Sequence, residues 1–191
     1  MAFIVSLFIL SGCTQLPVET PSAPIVGKEI KRIVTVQAQG VILHYQGESF
    51  WSEDEWSTLV ENRDQSSSDL IENFINDVSR YGEQDEYVVH TVIEFNEDMQ
   101  STVLRCDIEG AVRKSGNSYR ATFRWLLEPL GLDFIDNDFQ ESEEGLFWEG
   151  LVNGIPTTVT VELPVIDGAI YEAWAHPIGH CHAHIWWEFS P

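Results

Sequence analysis

The sequence predicts an α+β, mostly β fold: an antiparallel sandwich or open barrel with a pair of amphipathic helices after the first strands. Three observations support this fold class. Apolar residues recur at helical spacing between Ser52 and Gly82, whereas from Tyr87 onward they alternate with polar residues at the two-residue period of a strand. Finally, Asn153-Gly154 separates two apolar-rich runs, and this dipeptide is the strongest short signal of a β-hairpin.

The first elements are predicted to be two short strands. β-branched and apolar residues favour strands over Ile33–Gln37 and Val41–Tyr45, and Gly40 supplies the turn between them. From Tyr87 onward the alternation predicts further strands, separated by turn residues such as Asp167-Gly168. These strands are Tyr87–Phe95, Val103–Ile108, Ser118–Leu126, Leu146–Val152, Ile155–Leu163, Ala169–Trp174 and Cys181–Phe189.

Two helices are predicted between the second and third strands. Ser52 is followed three residues later by Glu55, which is the pattern of a capping box at the start of a helix. Asp69 and Glu72 repeat this spacing before an apolar stripe that ends at Gly82. We therefore expect the second helix to begin near Asp69 and to end before the glycine.

An apolar run occupies residues 1–12 and ends in small residues directly before Cys13. The run is too short to span a bilayer and has the layout of a secretory signal peptide. The residues Leu10-Ser11-Gly12-Cys13 resemble the lipobox of lipoprotein precursors, and this resemblance implies cleavage before Cys13 and attachment of lipid to it. We therefore expect an exported protein that a lipid anchor holds at the outer face of a cell membrane.

The composition behind the lipobox predicts a tether followed by one domain. Residues 13–28 are rich in Pro, Thr and Ser, which favours an extended chain over a packed core. Residues 29–191 suit a single β-rich domain with a sizeable core. The chain carries 31 acidic and 10 basic residues, a formal net charge of −21, which repels nucleic acid and anionic lipid. We therefore expect no nucleic-acid partner.

The cysteines predict one disulfide. If Cys13 carries lipid, Cys106 and Cys181 are the two thiols that remain in an exported chain. In an exported protein, two remaining thiols most simply form a disulfide with each other, and both cysteines fall on predicted strands. Closing a loop of this length would stabilise the fold by about 4 kcal/mol in the chain-entropy model.

Four of the six histidines fall within nine residues near the C-terminal end: His176, His180, His182 and His184. Imidazole is the commonest metal ligand in proteins. In a strand, alternate side chains share a face, so His180, His182 and His184 would point the same way, with neighbours about 6.6 Å apart. We predict that these three bind Zn or Cu, with His176 as a fourth or alternative ligand.

Two other functions stay open. The histidines can instead be structural, in which case the chain would be a non-enzymatic cell-surface module that binds a protein or a glycan. The seven tryptophans suit core packing and also stacking on a ligand. The third function is a zinc-dependent hydrolase with a metal-bound water and a carboxylate base. The sequence identifies no catalytic residue for it.

Overall fold

Strands dominate the fold and helices accompany them, which confirms the predicted α+β, mostly β class. The structure is a computed structural model that describes residues 30–132, 137–142, 145–163, 173–175 and 184–188. The helices are α1 (Glu53–Glu61), α2 (Arg63–Tyr81) and α3 (Arg124–Leu130). The strands are β1 (Arg32–Gln39), β2 (Ile42–Phe50), β3 (Tyr87–Asn96), β4 (Ser101–Glu109), β5 (Val112–Ser115), β6 (Ser118–Thr122), β7 (Gln140–Ser142), β8 (Gly145–Val152), β9 (Ile155–Glu162), β10 (Ala173–Ala175) and β11 (His184–Glu188).

The strands form two sheets. The larger has seven strands in the order β3-β4-β2-β1-β9-β8-β7, and the smaller has four in the order β10-β11-β6-β5. Neighbouring strands are antiparallel except β1 and β9, which run parallel. The larger sheet is therefore mixed, and within the described residues it is open rather than closed into a barrel. A tight turn enforces antiparallel pairing only between strands that follow one another. Because β1 and β9 are far apart in sequence, no such turn joins them and they can pair in parallel.

One face of the larger sheet, the inner face, packs against the core. Alternate residues of β1 and β9 are buried there, and the residues between them are partly or fully exposed on the opposite, outer face. On the inner face the ring of Tyr45 lies 4.4 Å from Phe74 of α2 and 6.0 Å from Trp125 of α3, measured between centroids. The largest fully buried side chains are Val34, Val36, Leu43, Val78, Ile108, Phe123, Trp125, Leu127, Val159 and Val161.

The helices confirm one predicted start and correct the other. Ser52 caps α1 as predicted: its hydroxyl accepts a hydrogen bond from the backbone N–H of Glu55, whose carboxylate accepts one from the backbone N–H of Ser52. The predicted start of the second helix near Asp69 is wrong, because α2 begins at Arg63. Inside α2, the carboxylate of Asp69 instead accepts a hydrogen bond from Gln65 at 2.7 Å, one turn earlier. The predicted end of this helix is confirmed.

The strand predicted over Ser118–Leu126 is correct only as far as Thr122, where β6 ends and α3 soon begins. Trp125 explains the change. Its indole N–H donates to the carbonyl of Thr122 at 3.0 Å, and its ring is buried against Tyr45 and Phe74. Burial of this large ring outweighs the local preference for strand. The short strands β5 and β7 were not predicted, since they contain few apolar residues.

The predicted hairpin is confirmed. Asn153 and Gly154 have φ values of 53° and 81°, as a type I′ turn requires, and they join β8 to β9. Within the described residues, β10 and β11 overlap the last two predicted strands, and they pair antiparallel. In the part of the chain that the structure describes, no helix has both the length and the apolar character needed to cross a membrane.

Glu86 is a buried carboxyl group in the turn between α2 and β3. It is 7% exposed, and neither carboxylate oxygen completes a hydrogen bond of normal geometry with a described residue. Its neighbours Glu83 and Asp85 form ion pairs with Arg113. Burial raises the pKa of Glu86 to about 7; the backbone of Glu83 and the hydroxyl of Thr122 oppose this rise, and the charges of Glu83 and Asp85 add to it.

We expect the contribution of Glu86 to stability to fall as pH rises from about 4.5 to about 7, because folded Glu86 keeps a proton that the unfolded chain releases. Glu86→Gln removes this proton uptake. The free energy of unfolding of Glu86→Gln, measured relative to that of the wild type, should therefore be higher at about pH 8 than at about pH 5, by on the order of 3 kcal/mol. Urea unfolding at the two pH values measures the change. The exposed Glu61→Gln is the control, and an equal pH-dependent gain in that variant would contradict the prediction.

Candidate functional site

A row of polar side chains crosses the outer face of the larger sheet. Asp107 of β4 is in register with His44 of β2, which is in register with Gln37 of β1, which in turn is in register with Glu162 of β9. The amide of Gln37 donates to the carboxylate of Glu162 at 3.2 Å. His90 of β3 extends the row to the edge of the sheet. The strand pairing therefore aligns residues that are distant in sequence.

His44, Asp107 and His90 form a hydrogen-bonded group that we call the His–Asp–His triad. Nδ1 of His44 lies 2.6 Å from Oδ1 of Asp107, and Nδ1 of His90 lies 2.9 Å from Oδ2. Partial burial acts to raise the pKa of Asp107, but the hydrogen bonds and charges of His90 and His44 outweigh it, so the pKa lies below its usual value. Asp107 is therefore the anionic centre that the two imidazoles share.

A β-bulge directs His90 towards Asp107. Asp107 is in register with Val89, and Arg105 with Val92, so β3 has one more residue than β4 between these pairs. His90 accommodates the extra residue with a φ of 53°, in the left-handed region that histidine adopts more readily than β-branched residues do. The bulge thus places the imidazole of His90 at the edge of the sheet.

The triad is suited to hydrogen bonding. The side chain of His90 is 76% exposed, and because Asp107 engages Nδ1, its Nε2 is the ring nitrogen that an external group can reach. The described residues contain no group of three or more His, Cys, Asp or Glu placed to hold a metal ion. In the same part of the chain, the hydrogen bonds of His44 and His90 go to Asp107 and Gln39, and none goes to a hydroxyl or thiol that could act as a nucleophile.

The triad borders a cavity of about 340 Å³ with a polar lining. Arg105 lies in its wall, where the carboxylate of Glu94 pairs with it at 2.7 Å and the side chain of Gln46 accepts its Nε–H at 2.9 Å. The cationic side chain and the central carboxylate of this cavity are thus already engaged by the protein. We interpret the triad and its neighbours chiefly as a network that ties the bulged strand β3 to β4 and β2.

A larger cavity, of about 900 Å³, lies where the first residues of β1 and β9 meet the second half of β8. The parallel pairing of Arg32 with Thr157 brings β1 and β9 together here, and Gly150 of β8 pairs with Thr157 from the other side. Its size is within the usual range of small-ligand sites. The lining residues are Lys31, Arg32, Ile33, Asn137, Asp138, Gln140, Phe147, Trp148, Glu149, Gly150, Leu151, Pro156, Thr157 and Thr158.

Trp148 is the largest side chain in this lining. Its half-buried ring stacks on Phe139, with centroids 6.1 Å apart and the planes inclined at 26°. The ring also extends over Gly150 on the same strand, where a Cβ atom would collide with it. Phe139 and the glycine together fix the orientation of an indole ring that packs against the core on the inner face of the sheet, where Trp148 is in register with the buried Val159.

Most of the residues predicted from the sequence to form a site lie outside the described residues. This applies to Cys13, His176, His180, Cys181 and His182. Of the histidine cluster, His184 begins β11, where its backbone is in register with Thr122 of β6. Binding of Zn or Cu by the cluster stays a prediction.

Cys106 is the one member of the predicted disulfide that the structure describes. Among the described residues its sulfur has no disulfide partner; it is buried on the inner face of β4, and burial, with the charge of Asp107 adding, raises the pKa of the thiol to about 12. Its proposed partner, Cys181, lies outside the described residues, so the disulfide stays a prediction.

Sequence reasoning missed both the triad and the large cavity. Their residues come from separate strands, and no local motif marks them. Strand alternation does place His44 and Asp107 opposite their buried neighbours Leu43 and Ile108, which is a signal for exposure on one face. It does not indicate that the two strands pair in the register that joins these residues.

No family model, curated protein or solved structure matches this chain at a significant level. The function has therefore to be inferred from its own residues.

Proposed function

We propose that this chain is a lipid-anchored, extracytoplasmic binding module whose ligand site is the large cavity at the start of β1 and β9. The observation that carries the proposal is a cavity of about 900 Å³ in which the apolar side chains of Ile33, Phe147 and Leu151 accompany amide, hydroxyl and charged side chains. Ligand sites characteristically combine an apolar surface with a few placed polar groups. This is the surface-module function among the alternatives that the sequence left open.

The position of the cavity on the sheet supports binding. Its walls come largely from β1, β9 and β8; β1 and β9 are hydrogen-bonded to a neighbour on both sides, and β8 pairs with β9 along its whole length. The side chains are therefore held on a rigid support, which lowers the entropy that a ligand must offset on binding. The exposed Leu151 adds apolar surface next to the polar groups.

Mapping by NMR tests the location of the site. When the protein is titrated with a library of small polar and aromatic molecules, we expect amide shifts to cluster on the residues that line the large cavity. The variant Asn137→Ala should weaken the strongest hits, since it removes an amide from the lining. Asn96→Ala, at the end of β3, is the matched control. Shifts that cluster elsewhere, or equal losses in the two variants, would overturn the proposed site.

The lipid anchor rests on the lipobox-like residues before Cys13 and on the Pro-rich tether of residues 13–28 behind it. We expect Cys13→Ser to release the protein from membranes in its native host, because the lipid would be the attachment. Membrane fractionation with metabolic lipid labelling measures this. If the substituted protein stays with the membranes and retains the label, the anchor is wrong and the binding site is unaffected.

Binding of Zn or Cu by His176, His180, His182 and His184 is a second candidate function, which rests on four imidazoles within nine residues. Such a metal could be structural, transported or, with a bound water, hydrolytic.

We expect protein purified without a His-tag to carry one Zn²⁺ or Cu²⁺ per chain at neutral pH. The double variant His182→Ala/His184→Ala should lose the ion, whereas His44→Ala/His90→Ala, which removes the same number of imidazoles elsewhere, should keep it. Affinity should fall below about pH 6.5, because protonated imidazole does not ligate. Elemental analysis measures the content, and metal-free protein would exclude this function.

A further inference from the structure

The strand β8 has a side that no other described strand covers beyond its first turn of pairing. β7 pairs with residues 145–147 of β8 only. In the described part of the chain, residues 148–152 therefore pair with β9 alone. The residues before β7 do not extend that strand, since Asn137 and Asp138 form a turn in which Asp138 has a φ of 52°. We call the uncovered side of residues 148–152 the β8 edge.

Two residues of β8 direct their backbone N–H and C=O groups to the β8 edge. In an antiparallel hairpin with a two-residue turn, the residues that flank the turn form a hydrogen-bonded pair, and such pairs recur at every second position. Val152 flanks the turn between β8 and β9, so Val152 and Gly150 bond to β9. Glu149 and Leu151 alternate with them and direct their backbone groups away from β9. These groups can pair with one more strand.

The β8 edge differs from the edge of β3 at the opposite end of the sheet. Native proteins protect exposed edges with bulges, Pro, Lys or a covering segment. β3 is interrupted by the bulge between Val89 and Val92. Residues 148–152 keep an unbroken register with β9 and contain no Lys or Pro. Of the two, the β8 edge is therefore better suited to pairing with another strand.

The side chains on the outer face of the β8 edge define what a partner strand needs. Glu149 and Leu151 are both exposed, and Leu151 is 69% exposed. Both line the large cavity, together with the apolar side chain of Ile33 and the carboxylate of Asp138. In an antiparallel pair, directly opposite residues lie on the same face and contact each other. A partner strand therefore needs an apolar side chain beside Leu151 and a cationic one beside Glu149.

The charge of this part of the chain favours a basic partner. Residues 125–191 contain 12 acidic side chains and no Lys or Arg. The strands β7, β8 and β9 belong to this segment. Of the two basic residues in the lining, Lys31 has its ammonium over the ring of Phe50 on β2, 4.6 Å from the centroid, and Arg32 lies on β1, which β9 separates from β8. The β8 edge therefore attracts a basic segment.

Building on the proposed function, we infer that the ligand of the large cavity is an extended basic segment of a partner protein. The segment pairs antiparallel with the β8 edge and places an apolar side chain beside Leu151 and a Lys or Arg beside Glu149. The antiparallel direction is that of β7, which pairs with the same side of β8. From its N-terminal end, the segment therefore has the pattern apolar, any residue, basic.

Calorimetry and amide hydrogen exchange on the full chain test the inference. The probe is a threonine-rich decapeptide with the central run Val-Thr-Lys, because Thr favours strands. We expect binding to slow the exchange of the backbone N–H groups of Glu149 and Leu151. The exchange of Trp148 and Gly150 should change little, since their N–H groups already bond to β9.

N-methylated forms of the probe separate strand pairing from contact by side chains alone. Methylation of the Val and Lys nitrogens should weaken binding about tenfold, because it removes two hydrogen bonds to the β8 edge. Methylation of the two Thr nitrogens next to the Lys, whose N–H groups point away from the edge, is the matched control.

Two variants test the side-chain contacts. Glu149→Lys should weaken the probe about fivefold and strengthen binding of an analogue with Glu in place of Lys, because repulsion replaces attraction across the pair. Glu72→Lys, on the exposed surface of α2, makes the same change in net charge and is the control. Leu151→Ser should also weaken the probe, and it leaves the core intact because Leu151 is exposed.

The outcomes separate the peptide from the location of the site. If small molecules bind in the large cavity but none of the peptides binds, the binding module stands and the peptide is wrong. If the probe binds without slowing the exchange of Glu149 and Leu151, or if the two N-methylated forms bind equally, strand addition is wrong. If Glu149→Lys and Glu72→Lys weaken the probe equally, the charge pair with Glu149 is wrong. If neither small molecules nor peptides bind, this inference and the proposed function both fail.

Discussion

The parallel pairing of β1 with β9 is the constraint on which the rest of the structure depends. The segment from β1 to β4 and the segment from β7 to β9 each form their own antiparallel strands, and this one junction joins them into a seven-stranded sheet. It aligns Val34 and Val36 with Val159 and Val161, so that both segments bury their apolar residues in one core. The same junction brings Arg32 beside Thr157 and so forms the large cavity.

Two aromatic rings extend along their own strands because a glycine lies two positions further on. Tyr45 lies over Gly47, and Trp148 lies over Gly150, where a Cβ atom would collide with the ring in each case. The first ring joins the aromatic core with Phe74. The second stacks on Phe139 and packs against the same core. One local arrangement thus serves core packing in both segments.

Little of the candidate site could be predicted from the sequence. The histidine cluster near the C-terminal end dominates the sequence because its members are neighbours in the chain, which is the kind of signal that a single sequence displays. The large cavity gives no such signal, since its lining comes from four separate stretches of the chain. The triad has no sequence signal either. His44 and Asp107 are 63 residues apart in the chain, and only the register between β2 and β4 brings them together.

The sequence by itself determined the elements that depend on local interactions: the alternating strands, the cap at Ser52, the end of α2 and the turn at Asn153-Gly154. This type I′ turn needs positive φ values that few other residues adopt at low cost. Tertiary structure decided what depends on distant partners. It turned the segment after Thr122 into α3, because burying the ring of Trp125 in the aromatic core outweighs local strand preference. It also chose the parallel partner of β1, since side-chain periodicity reports which face is buried but not which strand lies alongside.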